Sequence, residues 1–373
     1  MINRYLESII EGRMGQGKAI VLFGARQVGK TTMLKNLLAR RDDVLWLNGD
    51  EQDVRNLFEN VSSTMLKTII GKKSVVVIDE AQRISDIGIG IKLITDNIPD
   101  VQVLATGSSS FDLSNKINEP LTGRKMEYWM YPLSFGELVE HHGLLEEKRL
   151  LAHRLIYGSY PDVINNVGDE RMILTELANS YLYKDILMFD KIKKSDKLVK
   201  LLQALAFQMG SEVSYNELAQ TCGLDPKTVE SYVTLLEQSY IIFRLGSFSR
   251  NLRNELKFAR KIYFWDCGIR NAVIGNYQML ESRLDTGALF ENYMVAERLK
   301  KLRYEKSYAK SYFWRSKLKQ EIDYIEEMDG QLAAVEFKWN PNRKAAMPLS
   351  FSRSYPDVDF KVVTRDNFET FLL

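Results

Sequence analysis

An α/β fold with several domains in series is predicted by three observations. A strand, AIVLF at 19–23, runs straight into GARQVGKT at 24–31, and a helix opens behind it. Two more apolar runs, SVVVI at 74–78 and VQVLATG at 101–107, have the continuous β-branched character of parallel strands buried on both faces. With 373 residues, the chain exceeds what one hydrophobic core usually supports, so two or three domains are expected.

GARQVGKT fits G-x-x-x-x-G-K-[ST], the pattern of a phosphate-binding loop. Glycines at 24 and 29 let the backbone of Gly24, Ala25, Arg26, Gln27, Val28 and Gly29 turn its N–H groups inward, and the helix starting at Lys30 points its positive end the same way. Lys30 has reach to the β- and γ-phosphates, and the Thr31 hydroxyl, followed by Thr32, suits Mg²⁺. ATP and Mg²⁺ are therefore the expected cofactors, and a P-loop core with a parallel sheet is the expected fold. The second strand ends in Asp79 and Glu80, which puts one carboxylate near the metal shell and the next where it can polarise a water. A surface acidic turn is the alternative. Behind the third strand stand Ser108 and Ser109, suited to sensing a γ-phosphate or the attacking water, with plain turn serines as the other reading. Arg124 is a candidate for charge stabilisation, in cis or across a subunit interface, or a plain surface arginine.

Taken in order, GARQVGKTT, VVVIDEAQ, ATGSSS, LTGRK, YPLSFGEL and YGSYPDV resemble the prokaryotic AAA-type ATP-binding proteins that carry a C-terminal domain of unknown function. The resemblance covers essentially the whole chain. It implies an ATPase core over 1–140, with Glu80 as catalytic glutamate beside Asp79, and a helical lid over 141–195 with Gly158 and Pro161 at a turn.

Over 196–250 the pattern is helix, turn, helix, strand. LVKLLQALAFQM has a 3.6-residue apolar period, SYNELAQTCG ends a short helix at Gly223, and DPKTVESYVTLLEQS opens on Asp225 as N-cap with Pro226 behind it. This predicts a winged helix-turn-helix. Its second helix sets Lys227 against Asp225, Glu230 and Glu237, an acidic balance that opposes phosphates and favours a structural or protein-interface role over base reading.

Residues 251–373 read as an amphipathic helix, TGALFENYMVAERLKKL, followed by the strands SYFWR, EIDYIEE and LAAVEFKW, with MDGQ as a tight hairpin turn. Asp323 falls on one strand, and Glu336 and Lys338, two residues apart, leave one face of the next. With Glu291 on the helix, these residues resemble the core of PD-(D/E)xK nucleases, a restriction-endonuclease-like fold with a second metal site at Glu291, Asp323 and Glu336. The resemblance does not carry cleavage with it.

An apolar content of 45% and a charged content of 27% fit a globular protein. The sequence shows no leader-like apolar stretch and no membrane-length run, and Cys222 and Cys267 lack metal-type spacing, so a cytoplasmic location without membrane contact is expected. Net charge is +2, yet residues 241–319 hold 17 Lys and Arg against 7 Asp and Glu, a local +10 that leaves −8 for the rest. Such asymmetry fits DNA as an anionic partner, or a solvated basic face. Three functions stand side by side: an ATPase that drives or switches a nucleic-acid-associated C-terminal half, an ATP-gated metal-dependent DNA nuclease, and a nucleotide-dependent signalling switch that binds a protein partner.

Overall fold

Five strands of the N-terminal half, β1 (Ala19–Gly24), β2 (Val44–Asn48), β3 (Val75–Asp79), β4 (Gln102–Gly107) and β5 (Lys125–Met130), pair in parallel in the order β2-β3-β4-β1-β5. Helix α1 (Tyr5–Glu11) precedes β1, and the crossovers that parallel neighbours need carry α2 (Lys30–Leu37), α3 (Gln52–Leu57), α4 (Ser63–Ile70) and α5 (Ile87–Asn97). Central β1 and β4 are buried at every residue, as their unbroken apolar runs require. Strands β2 and β5 were not expected from sequence. VLWLN is an edge strand with Trp46 exposed, and KMEYWM mixes polar with apolar positions, so neither shows the continuous run that marked the others.

The computed structural model describes residues 2–108, 113, 116–187, 195–249 and 260–373. The chain forms two units, Met1–Pro132 with Gln238–Tyr240, and Leu133–Glu237 with Ile241–Leu373. In the second unit, α6 (Phe135–His142), α7 (Leu151–Tyr157), α8 (Glu170–Leu187) and α9 (Ser195–Phe207) precede α10 (Tyr215–Cys222) and α11 (Pro226–Gln238). Ser214 caps α10 through Glu217 N–H, Gly223 closes it at φ 64°, and the Asp225 carboxylate accepts from Thr228 N–H at 2.9 Å.

A seven-stranded sheet runs in the order β12-β11-β10-β9-β7-β8-β6, from β6 (Glu212–Val213), β7 (Ile242–Ser247), β8 (Arg260–Phe264), β9 (Lys310–Arg315), β10 (Glu321–Met328), β11 (Gln331–Lys338) and β12 (Asp359–Thr364). The turn between β10 and β11 holds Asp329 at φ 52° and Gly330 at φ 81°, the pair of positive φ values a two-residue hairpin favours. Strand β7 pairs antiparallel with β8 and parallel with β9, so this one sheet crosses the boundary expected near residue 250.

Helix α12 (Cys267–Ile274) precedes α13 (Thr286–Tyr304). The sequence suggested an amphipathic α13 with one apolar face. It is instead buried well beyond that face: Leu289, Asn292, Tyr293, Val295, Glu297 and Lys300 are buried too. Internal partners make this possible. Asn292 bonds the Phe264 backbone at both its oxygen (2.7 Å) and its nitrogen (3.0 Å), and Glu297 meets Lys300 at 2.7 Å. Cys222 and Cys267 are free and buried, and among the described residues no helix is long and apolar enough to cross a membrane.

Candidate active site

The phosphate loop leaves β1 at Gly24 and enters α2 at Lys30, with Gln27 at φ 59° and Gly29 at φ 96° giving the backbone its inward curl. Gly24 has a second reason to be glycine, because a Cβ there would run into the Met130 carbonyl of β5. Lys30 is buried, and its Nζ donates to the carbonyls of Gly24 at 2.8 Å and Ala25 at 2.7 Å. Thr31 Oγ1 donates to Asp79 Oδ2 at 2.8 Å across the gap from α2 to the end of β3. This sets two hard oxygen donors side by side, the kind of pair Mg²⁺ takes. The loop and this pair fit a magnesium nucleotide.

Strand β4 lies between β1 and β3, so its end falls between the loop and the two acids. Thr106 Oγ1 donates to the other oxygen of Asp79 and accepts from Glu80 N–H at 3.2 Å. Glu80 sits in the left-handed region at φ 50°, a conformation held in place by these contacts and by the short 3₁₀ turn Ala81–Arg83. Gln82 in that turn donates from Nε2 to Glu80 Oε2 at 2.6 Å and to Ser108 Oγ at 3.0 Å. Asp79, Glu80 and Ser108 are thus brought together as the sequence suggested, whereas Ser109 lies outside the described residues.

Arg124 is not brought to this site within the chain. Register pairs Ala19 with Lys125 and Gly24 with Met130, which puts Arg124 at the opposite end of the strands, about 20 Å from the loop at 3.3 Å per residue. Its guanidinium binds Asp96 at 2.6 Å. Sequence reasoning also missed three residues. Arg4, just before α1, donates to Val28 O at 2.5 Å and Tyr131 O at 2.7 Å, bracing the loop from behind. Thr106 and Gln82 complete the set. All three act across the fold except Gln82, whose place in DEAQ beside Glu80 was a local signal.

Residues 16–139 match the AAA domain family model. A P-loop ATPase domain therefore occupies the first part of the chain. Residues 148–279 and 286–370 match two domains of unknown function, DUF8612 and DUF4143. Curated relatives include an uncharacterized protein of Methanocaldococcus jannaschii, 23% identical over 262 residues that cover 64% of this chain and 59% of the relative. Another, from Haemophilus influenzae, is 24% identical over 284 residues, covering 68% of this chain and 69% of its own. The chain thus spans under two thirds of the first of these. Among solved structures, a Walker-type ATPase of Pyrococcus abyssi is similar with a TM-score of 0.52 at 15% identity, covering 74% of this chain and 96% of that one, a likeness of fold.

The C-terminal candidates also meet. Tyr324 pairs with Val335 in register, so Asp323 stands opposite Glu336, whose neighbour on the same face is Lys338. Lys338 Nζ lies 2.6 Å from Glu336 Oε2 and 3.8 Å from Asp323 Oδ2, and Asp323 Oδ2 accepts from Phe337 N–H at 2.9 Å. Glu291 is held instead by β8: Lys261 at 2.9 Å and Tyr263 Oη at 2.6 Å. Burial, and next the charge of Asp323, push Glu291 and Glu336 up to about 7 against the pull of their lysines. Among the described residues no group of three or more His, Cys, Asp or Glu is arranged to hold a metal ion; Lys261 bonds one oxygen of Glu291, and Lys338 one oxygen of Glu336.

Several cations of residues 241–319 are paired inside the fold. Arg270 and Arg283 clamp Asp285, Arg298 binds Glu326, Lys300 binds Glu297, and Lys261 binds Glu291 and Glu321. The acids of α11 are matched likewise, Glu237 by Arg244 and Glu230 by Arg260. Arg250, Arg253 and Lys257 lie outside the described residues.

Proposed function

We propose that the chain is a Mg²⁺-dependent ATPase that uses its hydrolytic cycle to switch its second unit. The contact that carries this reading is Thr31 to Asp79 at 2.8 Å, with Glu80 next in the chain and Thr106 tying the two acids together. Backbone N–H groups of 24–29 would bind the phosphates, Lys30 would neutralise charge at the γ-phosphate, and Thr31 and Asp79 would hold Mg²⁺. When bound, the metal supplies Lewis acidity at the phosphate oxygens. Glu80 takes a proton from water as the water oxygen bonds to the γ-phosphorus, and the bond to the ADP oxygen breaks with its electron pair leaving on ADP. The AAA domain match supports ATP as the nucleotide.

Two variants test it. Lys30→Ala is expected to abolish ATP binding, and Glu80→Gln to keep binding while lowering kcat by about 10²- to 10⁴-fold. Unchanged turnover in both would sink the proposal.

A second reading, an ATP-gated nuclease, is favoured by Asp323 facing Glu336 beside Lys338, and the ion pair of Glu291 with Lys261 weighs against it. The expected result with plasmid, Mg²⁺ or Mn²⁺ and ATP is no cutting that depends on Asp323. Cutting lost in Asp323→Ala would establish the nuclease instead. For the partner of the second unit, a steep salt dependence in a DNA titration would favour nucleic acid, and a flat one a protein.

A further inference from the structure

Gln82 is in contact with both ends of the hydrolytic apparatus at once. One amide nitrogen serves Glu80 Oε2 at 2.6 Å, short enough for a charge-assisted bond, and Ser108 Oγ at 3.0 Å at the end of β4. The amide can be oriented only one way here, since the reverse would face its oxygen to the Glu80 carboxylate. That leaves Oε1 buried beside Gly107 with no hydrogen-bond partner among the described residues, in a side chain only 8% exposed. The turn is fixed as well. Lys116 Nζ donates to the backbone oxygens of Gln82 at 2.6 Å and Ile84 at 3.0 Å, anchoring the turn that carries the amide.

We infer that Gln82 is the positioning residue of ATP hydrolysis: its N–H aims the Glu80 carboxylate and ties it to Ser108. The inference rests on Glu80 being the general base, as proposed above. Gln82 transfers no proton itself. It acts through Glu80, whose carboxylate would otherwise turn freely about its side-chain torsions.

The test uses the full chain, with steady-state turnover and the affinity for ATP measured on each variant. Gln82→Ala is expected to lower kcat by about 10- to 100-fold, the scale of a misplaced reacting group, with ATP affinity within about twofold of the parent. Gln82→Glu discriminates further, because the introduced carboxyl can donate to Glu80 only when protonated. Its kcat is expected to rise as pH falls towards 6, a limb that the parent lacks and that a merely structural role would not produce. Should Gln82→Ala fail to bind ATP, the pH profile of Gln82→Glu decides alone. A kcat equal to or above that of the parent in Gln82→Ala, or a parental pH profile in Gln82→Glu, overturns the inference. If Glu80→Gln also turns over normally, it is the general-base assignment that has failed; if Glu80→Gln is dead and the Gln82 variants are normal, only the role of Gln82 has.

Discussion

Arg4 shows how far from a motif a functional contact can begin. Its guanidinium is the buried partner of two main-chain carbonyls, Val28 in the phosphate loop and Tyr131 just past β5. Arg4→Met keeps the apolar stem and removes the donors, leaving both carbonyls short of a partner. We expect a loss of about 1–3 kcal/mol in stability, read from denaturant midpoints, together with weaker ATP binding. Unaltered affinity would limit Arg4 to a role in folding. Gly24 belongs at this scale too, since Gly24→Ala meets the Met130 carbonyl and its penalty would be one of strand packing as much as of phosphate binding. The contacts of Arg4 with Val28 and of Thr106 with Asp79 span 24 and 27 residues, and no local spacing announces them. The loop itself was legible because all its chemistry lies within eight consecutive residues.

Among the elements, α13 depends most on an internal charge pair. Glu297 accepts from Lys300 Nζ at 2.7 Å and from Phe135 N–H at 2.7 Å, so the helix is tied to the start of α6 by a carboxylate that burial pushes up and Lys300 pulls back. Lys300→Met should destabilise the protein by about 3–5 kcal/mol, because it leaves a buried carboxylate without its cation. A smaller loss in chemical denaturation would mean that Glu297 is already neutral. The sequence displayed the apolar positions of this helix but not the polar pairs that let its other faces go inside, which is why it read as amphipathic. The strands around Asp323 and Glu336 were legible from alternation and the Asp329-Gly330 turn. The lysine that reaches Glu291 was not, because β8 joins the sheet from a distant part of the chain.

At the scale of the molecule, pH and ATP act on different units. Glu291 and Glu336 are raised to about 7 from an unfolded value of 4.5, so the folded protein holds protons that the unfolded chain has released between those values. Stability from this pair is therefore highest below about pH 4.5 and is lost as pH rises to about 7. Glu336→Gln should flatten that slope and leave the variant relatively more stable at pH 8 than at pH 5; a parental slope would show that Glu336 carries no burial penalty. ATP acts on the other unit. At about 100 times its Kd it should add about 2.7 kcal/mol to the unfolding of the P-loop unit, and the effect should vanish in Lys30→Ala. Strand β7 has a further bearing on how the chain can be divided. Because it is bonded to β8 on one side and β9 on the other, a fragment that starts or stops near residue 250 tears a continuous sheet and exposes a raw strand edge. Such fragments should aggregate, so residues 196–250 and 251–373 are better expressed, crystallised and assayed as a single piece.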